Sequence, residues 1–555
     1  MSNQFYLWGE DASSAIDVDV DVQDTLDSFR HSVAGQFAIV EPSGIDFLAP
    51  QGHTLASTSE IVDTPGPIAI SIDGKKVREV PQPTGLPFVG SYYEVYPDHL
   101  GNHQRLFDHY GPIFKTTNMG RTTYSTNDPE IASIVFAESD FFTKLITPDH
   151  PLYGIKNQEA GVFLGDTENE NWKIAHKFLP PAFGPKAVRH YAPTMQRTVE
   201  KAFDVFDELD ANGEAWNVYQ YMLKLGSEAV GKLVTGMEFG HFASVDAPTH
   251  RMVMNIAESL ELNKKITSRG NWYAALPFGD PKRLRVVQAE IEVMLDEAIA
   301  ECRKNGATED LELSEAALHA SSVIDYAIRA VDSKGEHLPK ANLAAAVVVA
   351  TGAGFTTTSS LLSWLIYGLV QYPGMQERLL QEMVDAGIDE ETQFDADTAE
   401  KLPFMVNYIK EMQRRHNPSF QPGRTAKVDL ILPGGYKIPK GAVVIPALHH
   451  IHNSPKLWDN PAKFDPDRWE TDAVKNRHKA QYIPFATGPR MCIGFNFALQ
   501  EIKIFLPKLV YRYHFSKEGD DAVEYDPFFQ LIRPVNLYVR AQRRQKWPPK
   551  SSEKA

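Results

Sequence analysis

The chain has 555 residues, of which 43% are hydrophobic, and it carries a formal net charge of -16 at pH 7. An acidic chain without a long basic stripe is not expected to bind nucleic acid, and its two cysteines, Cys302 and Cys492, cannot form a disulfide framework. The N-terminus lacks the basic and apolar regions of a secretory signal, and no window reaches the roughly 18 uninterrupted apolar residues of a membrane span. We therefore expect a soluble, cytoplasmic protein without a transmembrane segment.

Residues 1 to about 80 differ from the rest of the chain in their pattern of apolar, acidic and turn-forming residues. Apolar and acidic residues alternate over residues 15–24, which favours a β-strand, and turn residues punctuate residues 60–80 in a way that predicts a short hairpin. We interpret this N-terminal extension as an ancillary lobe or a partly disordered tail. The sequence assigns it no function.

Beyond the extension, helical periodicity dominates. Residues 97–111 predict a helix, residues 112–127 predict a β-hairpin that turns at Gly120, and long helical patterns continue to about residue 415. Short strands return at residues 428–446 and near the C-terminus, and another helix follows Cys492. The chain is therefore predicted to be mainly α with a small β region, an α+β organisation.

Cys492 follows a turn and precedes a predicted helix, a setting that suits a metal-binding thiolate. A thiolate is a soft, electron-rich ligand, and a helix N-terminus favours the anion. Gly488 and Gly494 let the backbone turn tightly and approach a flat molecule. Arg490 can bind a carboxylate, and Phe485 would limit water around the sulfur. Together these residues predict a heme site, in which the iron needs a thiolate and the propionates need cations.

The spacing F-x-x-G-x-R-x-C-x-G over residues 485–494 resembles the heme-binding loop of the cytochromes P450. The resemblance extends over roughly residues 80–545 and is closest to the heme domain of fused bacterial and fungal fatty-acid hydroxylases. It implies the cytochrome P450 fold for residues 81–545, preceded by the extension of residues 1–80 and followed by a tail of residues 546–555. It also implies heme b (iron protoporphyrin IX) as cofactor with Cys492 as the iron ligand. A buried, inert cysteine is the alternative, and it is the interpretation that we adopt for Cys302.

Two further segments resemble the family around the heme. Glu411 and Arg414 share a helix face, and the family implies that they meet Arg468 and lock the core behind the heme; an exposed ion pair of little energetic value is the alternative. Arg424 lies where many members place a propionate-binding arginine, and a surface arginine is an equally acceptable interpretation.

The resemblance assigns Trp172 and His176 to the heme propionates, although a core tryptophan beside a polar histidine is the ordinary interpretation of such a pair. It places Phe163 at an aromatic gate over the heme, with core packing as the alternative. Arg121 matches an arginine that anchors a fatty-acid carboxylate, but Tyr124 is out of register with the helping tyrosine. We interpret Arg121 as an exposed hairpin arginine.

The apolar segment at residues 341–370 contains the counterpart of the family's oxygen-side helix. Ala353, Gly354, Thr357 and Thr358 match its motif, and Ala353 and Gly354 are predicted to lie beside the substrate. Thr357 is the expected catalytic hydroxyl. Thr356 replaces the acid that relays protons in the family, so a water molecule, Thr356 itself or a substrate group would have to take over that relay.

These features predict a monooxygenase that inserts one oxygen atom from O2 into a small apolar organic substrate, with a role in secondary metabolism. The sequence contains no FMN domain and no G-x-G-x-x-G loop, so electrons are expected from a separate NADPH-dependent reductase or another redox partner. Thr356 motivates one alternative, an isomerase, dehydratase or reductase that works without the usual O2 cycle. A heme-binding sensor without turnover is a further alternative, which the Gly/Thr motif argues against.

Overall fold

The computed structural model describes residues 2–306, 309–419 and 421–553. Helix predominates, and the predicted mainly α organisation with a small β region is confirmed. The helices are α1 Leu26–Phe37, α2 Thr58–Asp63, α3 Tyr92–Val95, α4 His99–Tyr110, α5 Pro129–Phe136, α6 Glu170–Phe178, α7 Pro180–Phe183, α8 Pro185–Ala211, α9 Val218–Val230, α10 Arg251–Ser268, α11 Asn271–Ala274, α12 Gly279–Asn305, α13 Leu313–His319, α14 Val323–Arg329, α15 Lys340–Gln371, α16 Met375–Asp385, α17 Ala396–Glu400, α18 Pro403–Arg415, α19 Leu448–Asn453, α20 Asp472–Lys475 and α21 Phe495–Arg512.

The strands are short, and most of them lie at the two ends of the chain. They are β1 Ser2–Leu7, β2 Ile16–Asp19, β3 Ile45–Leu48, β4 Thr54–Leu55, β5 Ile68–Ile72, β6 Arg78–Glu79, β7 Ile113–Asn118, β8 Arg121–Thr126, β9 Phe142–Thr143, β10 Trp216–Asn217, β11 Leu311–Glu312, β12 Ala330–Val331, β13 Arg424–Ala426, β14 Leu430–Leu432, β15 Tyr436–Ile438, β16 Val443–Pro446, β17 Tyr513–Lys517 and β18 Tyr538–Arg543.

Helix α15 is the central helix of the core and packs against α9, α12, α18 and α21. By length and composition it could cross a membrane, but 67% of its most apolar window is buried inside the protein. A helix that is apolar on all sides and covered by other helices is typical of a large protein core. The apolar character of α15 is therefore explained by its neighbours.

The predicted hairpin at residues 112–127 is confirmed as the antiparallel pair β7–β8. Asn118 pairs with Arg121 across a tight turn, and the two turn residues, Met119 and Gly120, have φ of 49° and 87°. This left-handed backbone matches the twist of a two-residue hairpin. The hairpin forms one edge of a five-stranded sheet with the order β7-β8-β16-β13-β9.

The N-terminal extension is a folded lobe around a five-stranded sheet of order β2-β1-β5-β3-β4. Its core contains Phe5, Phe29 and Phe47, each at most 1% exposed, with ring centroids 5.2 to 5.7 Å apart. The prediction of an ancillary lobe is confirmed, and the partly disordered tail is wrong. The hairpin predicted for residues 60–80 is present only as a tight turn, in which Ile72 and Lys75 form an antiparallel bridge. The rest of β5 pairs with β1 and β3.

The lobe joins the rest of the molecule through backbone pairing. Strand β6 pairs in parallel with β15, Ile39 forms an isolated bridge with Ile431, and the Gly434 N–H donates to Asp73 Oδ2 at 2.7 Å. These contacts extend the small β14–β15 sheet into the lobe. The lobe is therefore attached to the β region, on segments that do not carry the predicted heme ligands.

Candidate active site

The loop before α21 holds Cys492 through its backbone. The Cys492 N–H donates to the Phe485 carbonyl at 3.0 Å, and the Met491 N–H donates to the Gly488 carbonyl at 3.0 Å. Gly488 has φ of 77°, and a Cβ atom there would lie 2.1 Å from the carbonyl oxygen of Phe136. Glycine is thus required at position 488, as the sequence predicts, both by the turn and by the close approach of α5.

Gly494 differs from Gly488 in its backbone conformation. It is the N-cap of α21 with φ of -90°, and nothing lies within 4 Å of the position that its Cβ would take. Gly494 lies in the turn that leads into α21, as predicted, but its backbone angles do not require glycine, and the open space leaves room for a flat molecule. The Gly494 N–H points to the Cys492 thiol and lowers its pKa, against burial, which raises the pKa and is the larger effect.

The surroundings of the two cysteines distinguish them. Cys492 has accessible surface although protein atoms enclose its loop, and it lies at the positive end of α21. Cys302 is half-buried near the end of α12, and burial together with the charge of Asp325 raises the pKa of its thiol. A thiol without a helix N-terminus or a cation beside it is inert. The geometry supports Cys492 as the ligand and agrees with an inert Cys302.

Arg490 lies beside the predicted propionate ligands. Its guanidinium donates to Thr167 Oγ1 at 3.1 Å and to the Gly165 carbonyl at 2.8 Å, and it lies 5.5 Å from the ring centroid of Trp172. The rings of Trp172 and His176 are 4.9 Å apart. Within the described residues, Arg490 Nε is buried without a hydrogen-bond partner.

Arg424 is 2% exposed, so the interpretation as a surface arginine is wrong. Its Nε lies 2.6 Å from Glu138 Oε1, and its guanidinium lies 5.0 Å from the ring centroid of Phe136. Arg424 Nη2 is buried and, in the part of the chain that the structure describes, donates no hydrogen bond. It is a second spare cationic donor.

The two arginines and Lys144 form one buried cationic cluster. Burial, followed by the charge of Arg424, lowers the pKa of Arg490 to about 10. Burial and the charges of Arg490 and Arg424 lower the pKa of Lys144 well below its usual value. Clustered cations with spare donors are stabilised by an anion. The spare donors of Arg490 and Arg424 therefore fit the two carboxylates of a heme whose iron would be held by Cys492.

Two members of this cluster, Glu138 and Lys144, were missed by sequence reasoning. Glu138 has φ of 52°, which is uncommon for a residue other than glycine, and its Oε2 accepts from Thr143 Oγ1 and from the Lys144 N–H, each at 3.0 Å. Neither residue belongs to a motif, and the contact with Arg424 joins parts of the chain far apart in sequence. A sequence pattern does not contain that information.

Phe163 lies next to the cationic cluster. The ring is 40% exposed, Lys144 Nζ lies 4.5 Å from its centroid, and the same ammonium donates to the Phe163 carbonyl at 2.6 Å. The interpretation as core packing does not agree with this exposure. The role of Phe163 as an aromatic gate stays a prediction.

On α15, the hydroxyls of the motif all return to their own helix. Thr357 Oγ1 donates to the Ala353 carbonyl at 2.8 Å, and Thr356 Oγ1 donates to the Gly352 carbonyl at 2.7 Å. Ala353 is exposed and Thr357 partly exposed on one helix face. Thr356 is 1% exposed on the face where a Cβ at position 352 would lie 3.1 Å from Ile256 of α10. The catalytic candidates thus differ: Thr357 lies on an accessible face, and Thr356 lies in a packed one.

Packing against a neighbouring helix also explains the glycine at position 354. A Cβ there would lie 3.2 Å from Val230 at the end of α9. The close approach that this glycine permits is therefore to α9, whereas the sequence suggested the approach of substrate to the backbone. Its position beside substrate stays a prediction, as does that of Ala353.

Glu501 is an acid near this motif that sequence reasoning missed. It is fully buried on α21, and burial raises its pKa well above the usual value, with a contact to the Thr358 hydroxyl opposing the rise. Burial therefore favours the neutral form of Glu501, whose carboxyl lies beside the Thr358 hydroxyl of α15. An acid within the apolar residues 497–506 was the available signal.

Behind the cysteine loop, Glu411 is the centre of a buried network. Arg414 donates to both of its carboxylate oxygens at 2.9 Å, Arg468 donates to Oε1 at 3.0 Å, and Trp469 Nε1 donates to Oε2 at 3.2 Å. Arg414 and Glu411 are 0% exposed. The prediction of a locked Glu411–Arg414–Arg468 core is confirmed in its geometry, and the exposed ion pair is wrong.

Arg121 is not an exposed hairpin arginine. It is 8% exposed, and its guanidinium donates to the carbonyls of Pro148 and His150 at 2.8 Å each and to that of Thr267. The interpretation from sequence fails because loop residues that follow β9 cover the hairpin. These carbonyls satisfy the guanidinium, so it does not extend freely toward a carboxylate.

The comparisons with known proteins agree on one family. A family model described as Cytochrome P450 matches residues 80–539. The chain is 48% identical over 550 residues, 99% of each sequence, to cytochrome P450 monooxygenase alnD of Emericella nidulans. It is 26% identical to leukotriene-B4 omega-hydroxylase 3 of Mus musculus over 75% of this chain and 81% of that protein. The fold resembles the crystal structure of the cytochrome P450DA heme domain with a TM-score of 0.74 and 24% identity, over 84% of this chain and 98% of that one.

The match to the fungal relative includes the N-terminal lobe, which lies outside the residues of the family model. The family model itself covers most of the chain. The fold and the heme-dependent monooxygenase activity predicted from the sequence are confirmed by these similarities. The chain belongs to the cytochrome P450 family and is a heme-dependent monooxygenase.

Proposed function

We propose that this monooxygenase uses heme b, oxygenates a C–H or C=C bond of a small apolar organic substrate, and receives electrons from a separate NADPH-dependent reductase. The observation that carries this proposal is the pairing of Cys492, at the start of α21, with two buried arginines that each retain a spare donor. A thiolate and two cations in one site match the iron and the two carboxylates of that heme.

Different residues of the site would hold the iron and the propionates of the cofactor. Cys492 would hold the iron as a thiolate, with the Gly494 N–H and the positive end of α21 stabilising its charge. Arg490, Arg424, Trp172 and His176 would hold the propionates. When bound, the heme supplies the reductive activation of O2.

On α15, Thr357 is the group that would hold and pass a proton on the accessible face. Its hydroxyl donates to the Ala353 carbonyl, and a hydroxyl can rotate and exchange this partner for another acceptor. Thr356 supports a relay less well, because its hydroxyl is buried on the face that α10 covers. We therefore assign the proton transfer to Thr357, with water as the partner that replaces the missing acid.

Thr356 is also the residue that motivates an isomerase, dehydratase or reductase as the alternative. The buried position of Thr356 weakens that alternative, because the substitution leaves the Thr357 face of the helix unchanged. We also propose that the enzyme is soluble and cytoplasmic and that it serves secondary metabolism. Recovery of the protein from a cell lysate in the high-speed supernatant, without detergent, tests its solubility.

The test of the reaction uses the purified, heme-loaded protein with NADPH, a separate reductase and isotopically labelled O2. We expect consumption of NADPH and O2 in the presence of a substrate and one labelled oxygen atom in the product. A product formed without O2, peroxide and reductant would contradict the proposal and support the isomerase. Candidate compounds are first screened by the optical change that accompanies displacement of water from a heme iron.

A further inference from the structure

Glu138 places a carboxylate inside the buried cationic cluster. Its side chain is 5% exposed, and its Oε1 lies 2.6 Å from Arg424 Nε. The other oxygen, Oε2, accepts from Thr143 Oγ1 and from the Lys144 N–H, each at 3.0 Å. A buried charge needs a partner of opposite sign, because its removal from water is otherwise costly. Glu138 and Arg424 provide that partner for each other.

The backbone at position 138 has an unfavourable conformation. Glu138 follows α5 with φ of 52°, a value that is uncommon for residues other than glycine. Strained residues persist where the surrounding structure fixes them, and they cluster at functional sites. The carbonyl oxygen of Phe136, two residues before Glu138, lies against Gly488 of the cysteine loop. The strained turn after α5 therefore lies against the loop that carries Cys492.

Arg424 is only partly occupied by this carboxylate. Its Nη1 donates to the Gly423 carbonyl at 2.9 Å, its Nε faces Glu138, and its Nη2 is buried without a hydrogen bond to the described residues. A guanidinium has five N–H groups and can bind carboxylates through more than one of them. A propionate at Nη2 would therefore be the second carboxylate on the same cation.

The two arginines of the cluster differ in this respect. The guanidinium of Arg490 donates to the Thr167 hydroxyl and to the Gly165 carbonyl, which carry no charge. The other buried carboxylate nearby, that of Asp166, lies 2.8 Å from its own cation, Lys156. Arg490 can therefore balance a propionate by itself, whereas Arg424 would share its single charge between a propionate and Glu138.

Two consequences follow from a shared guanidinium. Before the heme binds, Glu138 balances the buried charge of Arg424, which would otherwise have no partner of opposite sign. With a propionate in place, one positive and two negative charges leave a net negative charge beside the heme. A negative charge stabilises ferric iron, which carries one positive charge more than ferrous iron, and so it lowers the reduction potential.

We propose that Glu138 is a positioning residue for Arg424. Its carboxylate balances and orients the guanidinium before the heme binds, and it shares that guanidinium with a propionate afterwards, which lowers the reduction potential of the iron. The proposal rests on the proposed function, in which Arg424 holds a propionate. Glu138 acts through Arg424 and not on the substrate.

The test measures the reduction potential of the heme-loaded wild type, Glu138→Gln and Glu138→Asp by dye-mediated titration. Saturating imidazole keeps the iron in one spin state in every sample. Glu138→Gln retains a hydrogen-bond acceptor and loses the charge, and Glu138→Asp retains the charge. The matched control is Glu382→Gln, because Glu382 accepts from the Phe404 and Met405 N–H groups at 2.6 and 2.9 Å, outside the cationic cluster.

We expect Glu138→Gln to raise the reduction potential, with a change of about tenfold in the ferric–ferrous equilibrium, or about 59 mV for one electron. Glu138→Asp should stay closer to the wild type, and Glu382→Gln should equal the wild type. An unchanged or lowered potential in Glu138→Gln, or an equal rise in Glu382→Gln, overturns the proposal.

Transfer of heme to excess apomyoglobin is a second readout, which separates this role from ordinary structural support. Arg424→Gln should lose heme faster than the wild type, because a propionate loses its cation. Glu138→Gln should lose heme no faster than the wild type, because Arg424 then serves the propionate alone. Faster heme loss from Glu138→Gln would indicate structural support and overturn the proposal.

The same measurement distinguishes a failure of this proposal from a failure of the proposed function. Heme loss from Arg424→Gln at the wild-type rate would contradict the assignment of Arg424 to a propionate, and with it the role of Glu138. A contradicting result in the Glu138 variants alone leaves that assignment and the labelled-oxygen test of the monooxygenase unaffected.

Discussion

The two sides of the active site are stabilised in different ways. Behind Cys492, Glu411 accepts from donors on α18 and on the segment after α19, and its ion pairs join these parts of the chain. On α15, the hydroxyls of Thr356, Thr357 and Thr358 each donate to a carbonyl four residues earlier in the same helix. The first arrangement fixes the positions of separate segments, whereas in the second each hydroxyl is bonded to a carbonyl of its own helix.

The difference teaches where rigidity and adaptability lie in this enzyme. A buried ion network has few alternative geometries, because a displaced charge loses its partners in a low dielectric. A threonine hydroxyl bonded to its own helix can exchange that bond for a ligand by rotation about one torsion. Substitutions on the cysteine side should therefore lower the free energy of unfolding. Substitutions on the α15 side should instead alter catalysis.

The largest effect is expected from Glu411→Gln, which disrupts the buried ion network on the cysteine side. Removal of one partner leaves the charges of Arg414 and Arg468 buried, and such losses cost about 3–5 kcal/mol. Urea denaturation of the variant and the wild type measures the difference in the free energy of unfolding.

The matched control is Asp467→Asn, which removes a carboxylate of the same segment. Its ion pair with Arg378 has side chains 63% and 46% exposed, so the loss should be at most about 1 kcal/mol. Equal destabilisation by the two substitutions would show that Glu411 does not organise this side.

On the α15 side, Thr357→Ala should change catalysis and leave folding unaffected. The variant should retain heme and bind substrate, and reducing equivalents should be diverted to peroxide. Groups that transfer protons contribute about 10²–10⁴-fold, so we expect product formation to fall by about 10²-fold.

Thr351→Ala is the control for this prediction, since Thr351 donates to its own helix in the same way at 2.7 Å but is fully buried. Product and peroxide formed per NADPH are measured for both variants. An unchanged yield in Thr357→Ala would remove Thr357 from the mechanism.

A smaller effect is expected from mild acid, and it should act on the cysteine side. His452 Nε2 accepts from the Ile483 N–H at 3.0 Å, which requires a neutral ring. Burial, followed by the charge of Arg414, lowers the pKa of His452 from 6.5 to about 3; burial also lowers those of His416 and His450 to about 3 and about 4.

The pKa values of these histidines are lower in the folded than in the unfolded protein. At a pH between the two values, the unfolded chain therefore binds more protons than the folded chain. The contribution of these histidines to stability should therefore be constant above pH 6.5 and fall as the pH decreases toward 4, by up to about 1.4 kcal/mol per pH unit for each histidine. Urea denaturation from pH 7.5 to 5 measures the slope. His452→Gln retains a hydrogen-bond acceptor but cannot be protonated, so the slope should correspond to about one proton fewer taken up on unfolding. An identical slope in the variant and the wild type would contradict the assignment of His452 as one of these buried, neutral histidines.

The smallest effect is expected from Thr356→Glu, which restores the acid usual in the family. The face that Thr356 occupies is covered by α10, so burial would raise the pKa of the introduced carboxyl. We expect oxygenation to continue with altered coupling, measured as product and peroxide per NADPH with the reductase and with peroxide as oxidant. Impaired native turnover together with faster O2-dependent NADPH oxidation would instead indicate a site tuned for a rearrangement or a reduction.

The parts of the site that short motifs encode were predicted from the sequence. The loop around Cys492 and the Glu411–Arg414 pair follow from spacing within a turn and a helix, where local geometry determines which side chains meet. Gly488 is required for the turn that the motif implies. Gly494 lies in the predicted turn and is also the N-cap of α21, a detail that the motif alone does not specify.

The remaining features depend on contacts between distant segments. Glu138 meets Arg424, and the loop carbonyls that bury Arg121 come from residues well after its hairpin. The short hairpin predicted within residues 60–80 is limited to the turn at Ile72 and Lys75, and β5 pairs with β1 and β3, which the local pattern does not indicate. Periodicity describes one segment at a time, so it cannot specify these partners.

The most direct test of this account is the absorption spectrum of the reduced protein with CO, recorded for the wild type, Cys492→Ser and Cys302→Ser. A thiolate ligand gives the CO-bound heme a characteristic red-shifted Soret band, because it donates electron density to the iron. We predict that the band is present in the wild type and in Cys302→Ser and is lost in Cys492→Ser. Loss of the band in Cys302→Ser, or its retention in Cys492→Ser, would contradict the assignment of Cys492 as the heme ligand.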